Sequence, residues 1–183
     1  MPQFKILKSE RRYAGKVFSL VIDEIEYASG NRGIREVAEH PGGAVVVPVF
    51  SDGSMLLVRQ FRYPVKHHVY ELPAGKLDPA EEPRHCAERE LDEETGYVAG
   101  SWKKLVAIYT TPGFCSEQLH IFLATDLKES GHGQRLEEGE LDLTVERVPF
   151  RRAVEMIERG DIVDSKTICG ILLAERHLQR MET

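Results

Sequence analysis

Cysteines are few in this 183-residue chain: there are three, an odd number, and they are widely spaced. This pattern argues against a disulfide framework and against a zinc site, so we expect reduced thiols. No apolar run approaches the roughly 20 residues that cross a membrane, and the first sixteen residues lack the apolar segment of a secretory signal. The 30 acidic residues outnumber the 24 basic ones, and no basic stripe suggests a nucleic-acid groove. We therefore expect a cytoplasmic protein that binds neither membranes nor nucleic acids.

The chain is otherwise ordinary globular material, with 42% hydrophobic and 30% charged residues. Alternating apolar residues predict a strand over 17–27, and a turn and a partner strand follow over 34–40. We therefore expect an N-terminal antiparallel hairpin or sheet over residues 1–42 and a main domain over residues 43–183.

The main domain mixes strand-like runs with three helical segments. Pro48 suggests an edge or a bulge in the first of its strands. Further strand-like runs cover residues 55–63, 101–110, 117–127 and 144–150, and helices are predicted over 83–95, over 150–159 and from a cap at Ser165. The last helix carries Ile168, Ile171, Leu172 and Leu178 as its apolar residues. Strands interrupted by one acidic helix and closed by terminal helices predict an α/β fold with a sheet layered between helices.

The acidic helix carries the chemistry. Proline stands in its first turn, and Gly96 can adopt the left-handed conformation that ends a helix. Glu90, Glu93 and Glu94 are related by i+3 and i+4, so their carboxylates occupy adjoining parts of one face while the apolar residues point into a core. Hard carboxylate oxygens of this kind suit Mg²⁺ or Mn²⁺.

Seven residues of set type and spacing mark the stretch GKLDPAEEPRHCAERELDEETGY: Gly75, Glu81, Arg89, Glu90, Glu93, Glu94 and Gly96. The stretch resembles the Nudix box, G-x5-E-x7-R-E-U-x-E-E-x-G-U, in which U is a bulky apolar residue. The resemblance implies a Nudix-type α/β/α sandwich that hydrolyses a diphosphate linked to another moiety. It also implies structural roles for Gly75, Glu81, Arg89 and Gly96, with Arg89 holding the loop carboxylate of Glu81.

The resemblance further implies a set of metal ligands and a general base. Two or more Mg²⁺ ions, or Mn²⁺, would be held by Glu90, Glu94 and the Ala74 carbonyl, with Glu93 as a further candidate ligand. The base of the family's ADP-ribose enzymes lies on a loop after the box. Here LEEGEL (residues 136–141, the acidic loop) offers Glu138 and Glu140, with Glu140 slightly favoured and Glu93 as the alternative.

Segments outside the box look like the ADP-ribose pyrophosphatase branch of the family, notably VRQFRY, ELPAGKLD and YTTPGFCSEQLHIFLA. The branch marker is a proline about sixteen residues after the last box glycine, here Pro112. The resemblance implies that Thr111 and Glu117 lie near the terminal ribose, that AMP and ribose 5-phosphate are the products, and that the N-terminal sheet joins two copies in a homodimer.

Three further residues are candidate substrate ligands. Arg59 and Arg62 could each pair bidentately with phosphate oxygens, and a surface ion pair is the alternative for Arg62. Glu71 resembles a substrate-contacting acid of the relatives, and a buried carboxylate that orients the loop is the alternative. Two other functions stay open: pyrophosphatase action on GDP-mannose or another nucleoside diphosphate sugar, and a non-catalytic Nudix-fold module that binds or regulates.

Overall fold

The computed structural model describes residues 3–181, which form ten strands and three α-helices. The strands are β1 Phe4–Ala14, β2 Ser19–Tyr27, β3 Arg32–Glu39, β4 Gly43–Pro48, β5 Ser54–Arg62, β6 His67–Glu71, β7 Ala74–Lys76, β8 Tyr97–Tyr109, β9 Gln118–Glu129 and β10 Thr144–Pro149. The helices are α1 Pro83–Thr95, α2 Phe150–Glu158 and α3 Ser165–Gln179, with a 3-10 turn at Glu138–Glu140. No helix among these residues is long and apolar enough to cross a membrane.

The chain divides into two compact units, and the first comprises the chain up to Gly42 together with Tyr109–Gln118. Its three strands form an antiparallel sheet in the order β1-β2-β3. The predicted pair of strands is present as β2 and β3. The N-terminal strand β1 was not predicted, because its side chains are almost all exposed and show no apolar alternation. The segment Tyr109–Gln118 pairs with β3, since the Ala38 N–H donates to the Phe114 carbonyl at 2.8 Å.

The second unit comprises Gly43–Ile108 and Leu119–Thr183 and contains a four-stranded and a three-stranded sheet. The four-stranded sheet has the order β7-β4-β9-β8, with β4 parallel to β9, and the three-stranded sheet has the order β10-β5-β6. Every residue of β4 is buried, which explains its continuous apolar run. Pro48 is the last residue of β4. It pairs with Ala124 of β9, whereas β7 pairs only with Gly43, Ala44 and Val45, so Pro48 stands where the ladder continues on one side alone, as expected for an edge position.

The alternation of side chains along β4 builds two cores. Val45 and Val47 pack with residues of α2 and α3 on one side of the strand. Ala44 and Val46 belong to a second cluster that contains Cys86, Ala87 and Leu91 of α1. The sheet therefore lies between α1 on one face and α2 and α3 on the other, which confirms the predicted α/β/α sandwich.

Helix α1 has the predicted bounds, because both of its ends are set by local chemistry. Pro83 is its first residue, and Gly96 ends it with φ 73° while its N–H donates to the Asp92 carbonyl at 2.9 Å. Helix α2 ends one residue before the predicted Arg159. In α3 the cap is Asp164 rather than Ser165, since the Asp164 carboxylate accepts the Thr167 N–H at 3.0 Å.

The four apolar residues named for α3 differ in burial. Ile171 is fully buried, whereas Leu172 is 39% exposed. Ile168 and Leu178 are partly buried against the core that contains Val45.

Candidate active site

The three carboxylates of α1 differ in burial. Glu94 is 1% exposed and Glu90 is 8% exposed, while Glu93 lies at the rim with a partly exposed side chain. The Glu94 carboxylate accepts the backbone N–H of Ala74 at 3.1 Å. This bond ties β7, the strand that contains the box glycine Gly75, to the buried face of the helix.

Arg89 connects the box through four side-chain hydrogen bonds to carboxylates. Its Nε and Nη2 donate to the two oxygens of Glu81 at 3.0 and 3.1 Å, a bidentate fork. Its Nη1 donates to Glu90 at 2.6 Å and to Glu93 at 3.1 Å. Hydrogen bonds from Arg89 lower the pKa of Glu81 below its usual value. The guanidinium therefore fixes the loop before α1 to the acidic face of the helix.

Gly75 is required by the position of Glu90. A Cβ atom at Gly75 would lie 1.7 Å from Glu90 Oε1 and 2.0 Å from its Cδ, distances that real atoms do not tolerate. Gly75 does not have a positive φ, so the constraint comes from the neighbouring carboxylate and not from the backbone. The absence of a side chain at Gly75 thus leaves room for the Glu90 carboxylate.

The buried carboxylates repel one another. Burial raises the pKa of Glu90 to about 7, although the contact with Arg89 opposes the rise. Burial also raises the pKa of Glu94 well above its usual value, and the charges of Glu90 and Glu140 add to that rise. Two such groups can both be ionised at neutral pH only if a positive charge compensates them.

The oxygen donors and the negative charge at the acidic face of α1 fit a divalent cation, although the side chains are not already arranged as a complete coordination sphere. Within residues 3–181, no three His, Cys, Asp or Glu side chains already converge as a cation site. Arg89 already places one positive charge beside Glu90, with Nη1 at 2.6 Å from Oε1. The hard oxygens of Glu90 and Glu94, with the Ala74 carbonyl, are donors that Mg²⁺ and Mn²⁺ prefer.

The acidic loop differs at its two candidate bases. Glu138 and Glu140 bound a 3-10 turn, in which Glu140 is half-buried and Glu138 is exposed. The Glu140 carboxylate accepts the Glu137 N–H at 3.2 Å and contributes to the raised pKa values of Glu90 and Glu94. Glu140 is therefore in electrostatic reach of the buried carboxylates.

The strap, residues 134–135 immediately before the acidic loop, is hydrogen-bonded to the last turn of α1. Nothing in the sequence indicated this contact. The Gln134 amide donates to the Glu94 carbonyl at 2.7 Å, and the Arg135 N–H donates to the Glu93 carbonyl at 2.8 Å. The Arg135 side chain also donates to Asp92 at 2.8 Å. The Gln134 amide and the Arg135 N–H satisfy carbonyls that the end of a helix leaves without partners.

The two candidate phosphate-binding arginines have different surroundings. Arg62 forms a bidentate pair with Glu71 at 2.6 and 2.7 Å, and Glu71 is 2% exposed. Burial alone would raise the pKa of Glu71, but Arg62 and Lys166 lower it below its usual value. Arg59 stands over the Tyr70 ring and forms no ion pair with another residue of the described chain. Arg59 is the guanidinium that is available to an anion.

Thr111, Pro112 and Glu117 belong to the first unit, where they form a tight loop. The Thr111 carbonyl accepts the N–H groups of Phe114 and Cys115 at 3.1 and 2.9 Å. The Glu117 carboxylate accepts the Thr110 hydroxyl at 2.8 Å and lies 3.4 Å from His40 Nδ1. The hydroxyl that contacts Glu117 is thus that of Thr110, a residue that the sequence analysis did not single out.

Comparison with known proteins matches residues 40–169 to the NUDIX domain. The chain is 38% identical over 167 residues to the ADP-ribose pyrophosphatase of Bacillus subtilis (strain 168), covering 91% of this chain and 90% of that protein. It is 39% identical over 170 residues to the ADP-ribose pyrophosphatase of Mycobacterium tuberculosis (strain ATCC 25618 / H37Rv), with coverage of 92% and 82%.

A GDP-mannose pyrophosphatase of Shigella flexneri serotype 5b (strain 8401) is 36% identical over 143 residues, 73% of each chain. Among solved structures, the crystal structure of an ADP compounds hydrolase matches with a TM-score of 0.84 at 23% identity, covering 99% of this chain and 97% of that one. This last likeness supports the fold.

Proposed function

Because the chain belongs to the Nudix family of hydrolases, we propose that it hydrolyses the diphosphate of ADP-ribose, or of a similar nucleoside diphosphate sugar, to AMP and ribose 5-phosphate. The observation that carries the proposal is the 38% identity over 91% of the chain to an ADP-ribose pyrophosphatase. The box supports it as well, because Arg89 bonds Glu90 and Glu93 and the Ala74 N–H bonds Glu94.

We propose that two or more divalent cations, Mg²⁺ or Mn²⁺, bind at this site. We assign Glu90, Glu94 and the Ala74 carbonyl as their ligands, with Glu93 as a further ligand at the rim. When bound, the cation neutralises phosphate charge and lowers the pKa of a coordinated water. Glu94 is buried and hydrogen-bonded to the Ala74 N–H, which holds the two ligands together. Arg89 restrains Glu90 and Glu93 so that their carboxylates stay on one side of the helix.

We assign the general base to Glu140, with Glu138 as the second candidate and Glu93 as the third. The half-buried position of Glu140 and its electrostatic effect on Glu90 and Glu94 support this order. A base must be within hydrogen-bonding reach of the water that it deprotonates. The exposed side chain of Glu138 meets this requirement less well.

We assign phosphate binding to Arg59 in preference to Arg62. Arg59 has no carboxylate partner among the described residues, whereas Arg62 is engaged by Glu71 in a fork. This arrangement favours the alternative in which Glu71 orients the loop before the box. For the terminal ribose we keep the loop of Thr111, Pro112 and Glu117, in which the Thr110 hydroxyl fixes the position of the Glu117 carboxylate and leaves its other oxygen as an acceptor.

We also propose a homodimer, located in the cytoplasm, in which the region of residues 1–42 joins two copies. Six large apolar side chains of this region are at least 43% exposed, which favours a protein partner: Phe4, Ile6, Tyr13, Val17, Phe18 and Ile34. Sedimentation should give about twice the chain mass of 20.7 kDa. Ile34→Asp should shift the mass toward the monomer, and the control Val163→Asp, at an equally exposed site of the second unit, should leave it unchanged.

The test of the activity is Mg²⁺-dependent hydrolysis of ADP-ribose, GDP-mannose and diadenosine polyphosphates side by side. ADP-ribose should give the highest kcat/KM, and chelation of the cation should abolish turnover. A higher kcat/KM for GDP-mannose would favour the second candidate, which the 36% identity to a GDP-mannose pyrophosphatase supports. Turnover of any of these substrates above background would discard the remaining alternative, a non-catalytic module that binds or regulates.

A further inference from the structure

The first turn of α3 grips the backbone that leads into the Nudix box. The Asp164 carboxylate accepts both the N–H of Thr167 at 3.0 Å and its hydroxyl at 2.6 Å. With its proton directed to Asp164, the hydroxyl oxygen accepts the Leu72 N–H at 2.8 Å. Thr167 is fully buried and Leu72 is 1% exposed, so no water competes for this contact.

Lys166 extends the same network to Glu71, the residue before Leu72. Its ammonium donates to Asp164 at 3.0 Å and to the buried carboxylate of Glu71, whose other contacts are the two bonds from Arg62. Glu71 and Leu72 are consecutive, so α3 holds one by its side chain and the other by its backbone. The four charged groups, two acids and two cations, balance one another.

The close approach of α3 to this backbone has a second, independent sign. A Cβ atom at Gly170 would lie 2.6 Å from Leu72 Cδ1 and 3.1 Å from Val47 Cγ2. No other residue type fits at Gly170 without moving the helix or Leu72. Packing and hydrogen bonding therefore fix the same spot.

The residues that follow Leu72 carry this position into the box. The Pro73 carbonyl accepts the Val46 N–H at 2.9 Å, and the Ala74 N–H donates to Glu94 at 3.1 Å. A shift of Leu72 would move the Ala74 peptide group and change its bond to the buried carboxylate. The second route runs through Glu71. If Glu71 lost its bond from Lys166, its carboxylate could move, and Arg62, which is bonded to it, would move as well.

We infer that Lys166 is a positioning residue for the reaction: with Asp164 and Thr167 it holds Glu71 and Leu72, and through them Arg62 and the Ala74 peptide group. The role of Lys166 rests on the proposed function, because it matters for turnover only if Ala74 and Glu94 serve the reaction. Lys166 itself touches neither group and acts through Glu71 and Asp164.

The test uses the full-length protein and two sets of variants. Lys166→Met should lower kcat at saturating ADP-ribose and Mg²⁺ by about tenfold or more, the usual cost of removing an outer partner of a metal site. Thr167→Val, which keeps the shape and removes the hydroxyl, should lower kcat similarly, and Thr167→Ser should restore it. Arg147→Gln is the control, since Arg147 bonds Asp52 and Ser54 at 2.7 Å elsewhere in the second unit.

A second readout does not depend on turnover. Backbone amide exchange should be about tenfold faster at Leu72 and Ala74 in Thr167→Val than in Thr167→Ser, because one anchoring hydrogen bond is lost. Unchanged exchange at both amides would overturn the inference, and so would a wild-type kcat in Lys166→Met and Thr167→Val. If Lys166→Met does not fold, the Thr167 pair decides.

The exchange measurement also separates this inference from the proposed substrate. If the wild-type protein leaves ADP-ribose intact while exchange at Leu72 and Ala74 responds as expected, the proposed substrate is wrong. The positioning of Leu72 and Ala74 by the network of Lys166, Asp164 and Thr167 is then still supported. If ADP-ribose is hydrolysed and the variants match Arg147→Gln in both kcat and exchange, the network of Lys166 is an ordinary stabilising contact and the positioning role is wrong.

Discussion

Replacing Gly75 by alanine should separate activity from stability. The new Cβ would lie 1.7 Å from Glu90 Oε1, so the carboxylate must retreat by more than about 1 Å to reach the 3.0 Å that real Cβ contacts show. A displacement of about 1 Å in a catalytic arrangement costs about a hundredfold in rate. This corresponds to about 2.7 kcal/mol of activation free energy.

The same substitution should leave the protein folded. Glu90 is the flexible end of a side chain, and Gly75 does not have a positive φ, so the backbone accepts alanine. Weakening the bond between Arg89 and Glu90 costs about 1.5–3 kcal/mol, and the reduced entropy of the unfolded chain returns about 0.4–1 kcal/mol. We therefore expect a loss of about 0.5–2.6 kcal/mol in the free energy of unfolding.

The assay is kcat for Mg²⁺-dependent hydrolysis of ADP-ribose, with urea unfolding of the same samples. A double-variant cycle with Glu90→Ala isolates the cause, because that change removes the carboxylate that the new methyl group would strike. Gly75→Ala should have no further effect on kcat in the Glu90→Ala background. A near-wild-type kcat for Gly75→Ala, or additive losses in the double variant, would refute the reasoning.

Three further outcomes are expected. Glu94→Gln should lower turnover by orders of magnitude and keep its circular dichroism spectrum, and normal turnover at saturating Mg²⁺ would remove Glu94 from the ligand set. Glu140→Gln should lower kcat by about 10²–10⁴ without changing substrate or cation affinity, and Glu138→Gln should not; if both variants and their double keep wild-type kcat, the base is elsewhere, with Glu93 the next candidate. Glu71 has a lowered pKa in the folded protein, so its ionised form stabilises above its unfolded pKa, and this contribution is lost as the pH falls through the folded pKa. The unfolding free energies of wild type and Glu71→Gln should therefore converge below about pH 4.3, and a gap that stays constant into acid would contradict the network.

The parts of the site that the sequence predicted are those that local rules determine. Pro83 and Gly96 begin and end α1 by backbone preferences that act within one turn. Arg89 reaches Glu81 across only eight positions, at 3.0 Å, and it bonds Glu93 one turn further along the same helix. Such contacts are written into the spacing of the residues.

Strand β1 shows what local rules miss. Its side chains are exposed almost throughout, so no apolar alternation marks it, and its conformation depends on hydrogen bonds to β2. The cap of α3 was missed by one position because Asp164 and Ser165 are both good capping residues. Only the geometry of the Asp164 carboxylate, which also holds Lys166 and Thr167, decides between them.

The attachment of residues 134–135, just before the acidic loop, to the last turn of α1 depends on contacts that no local pattern encodes. Gln134 caps the carbonyl of Glu94 from forty positions away, and Arg135 bonds both the Glu93 carbonyl and the Asp92 carboxylate. A helix end needs such donors, but any nearby segment can supply them, so neither residue type nor spacing reveals which one does. Because these donors immediately precede the acidic loop, one backbone hydrogen bond and two side-chain hydrogen bonds fix the start of that loop beside the last turn of α1.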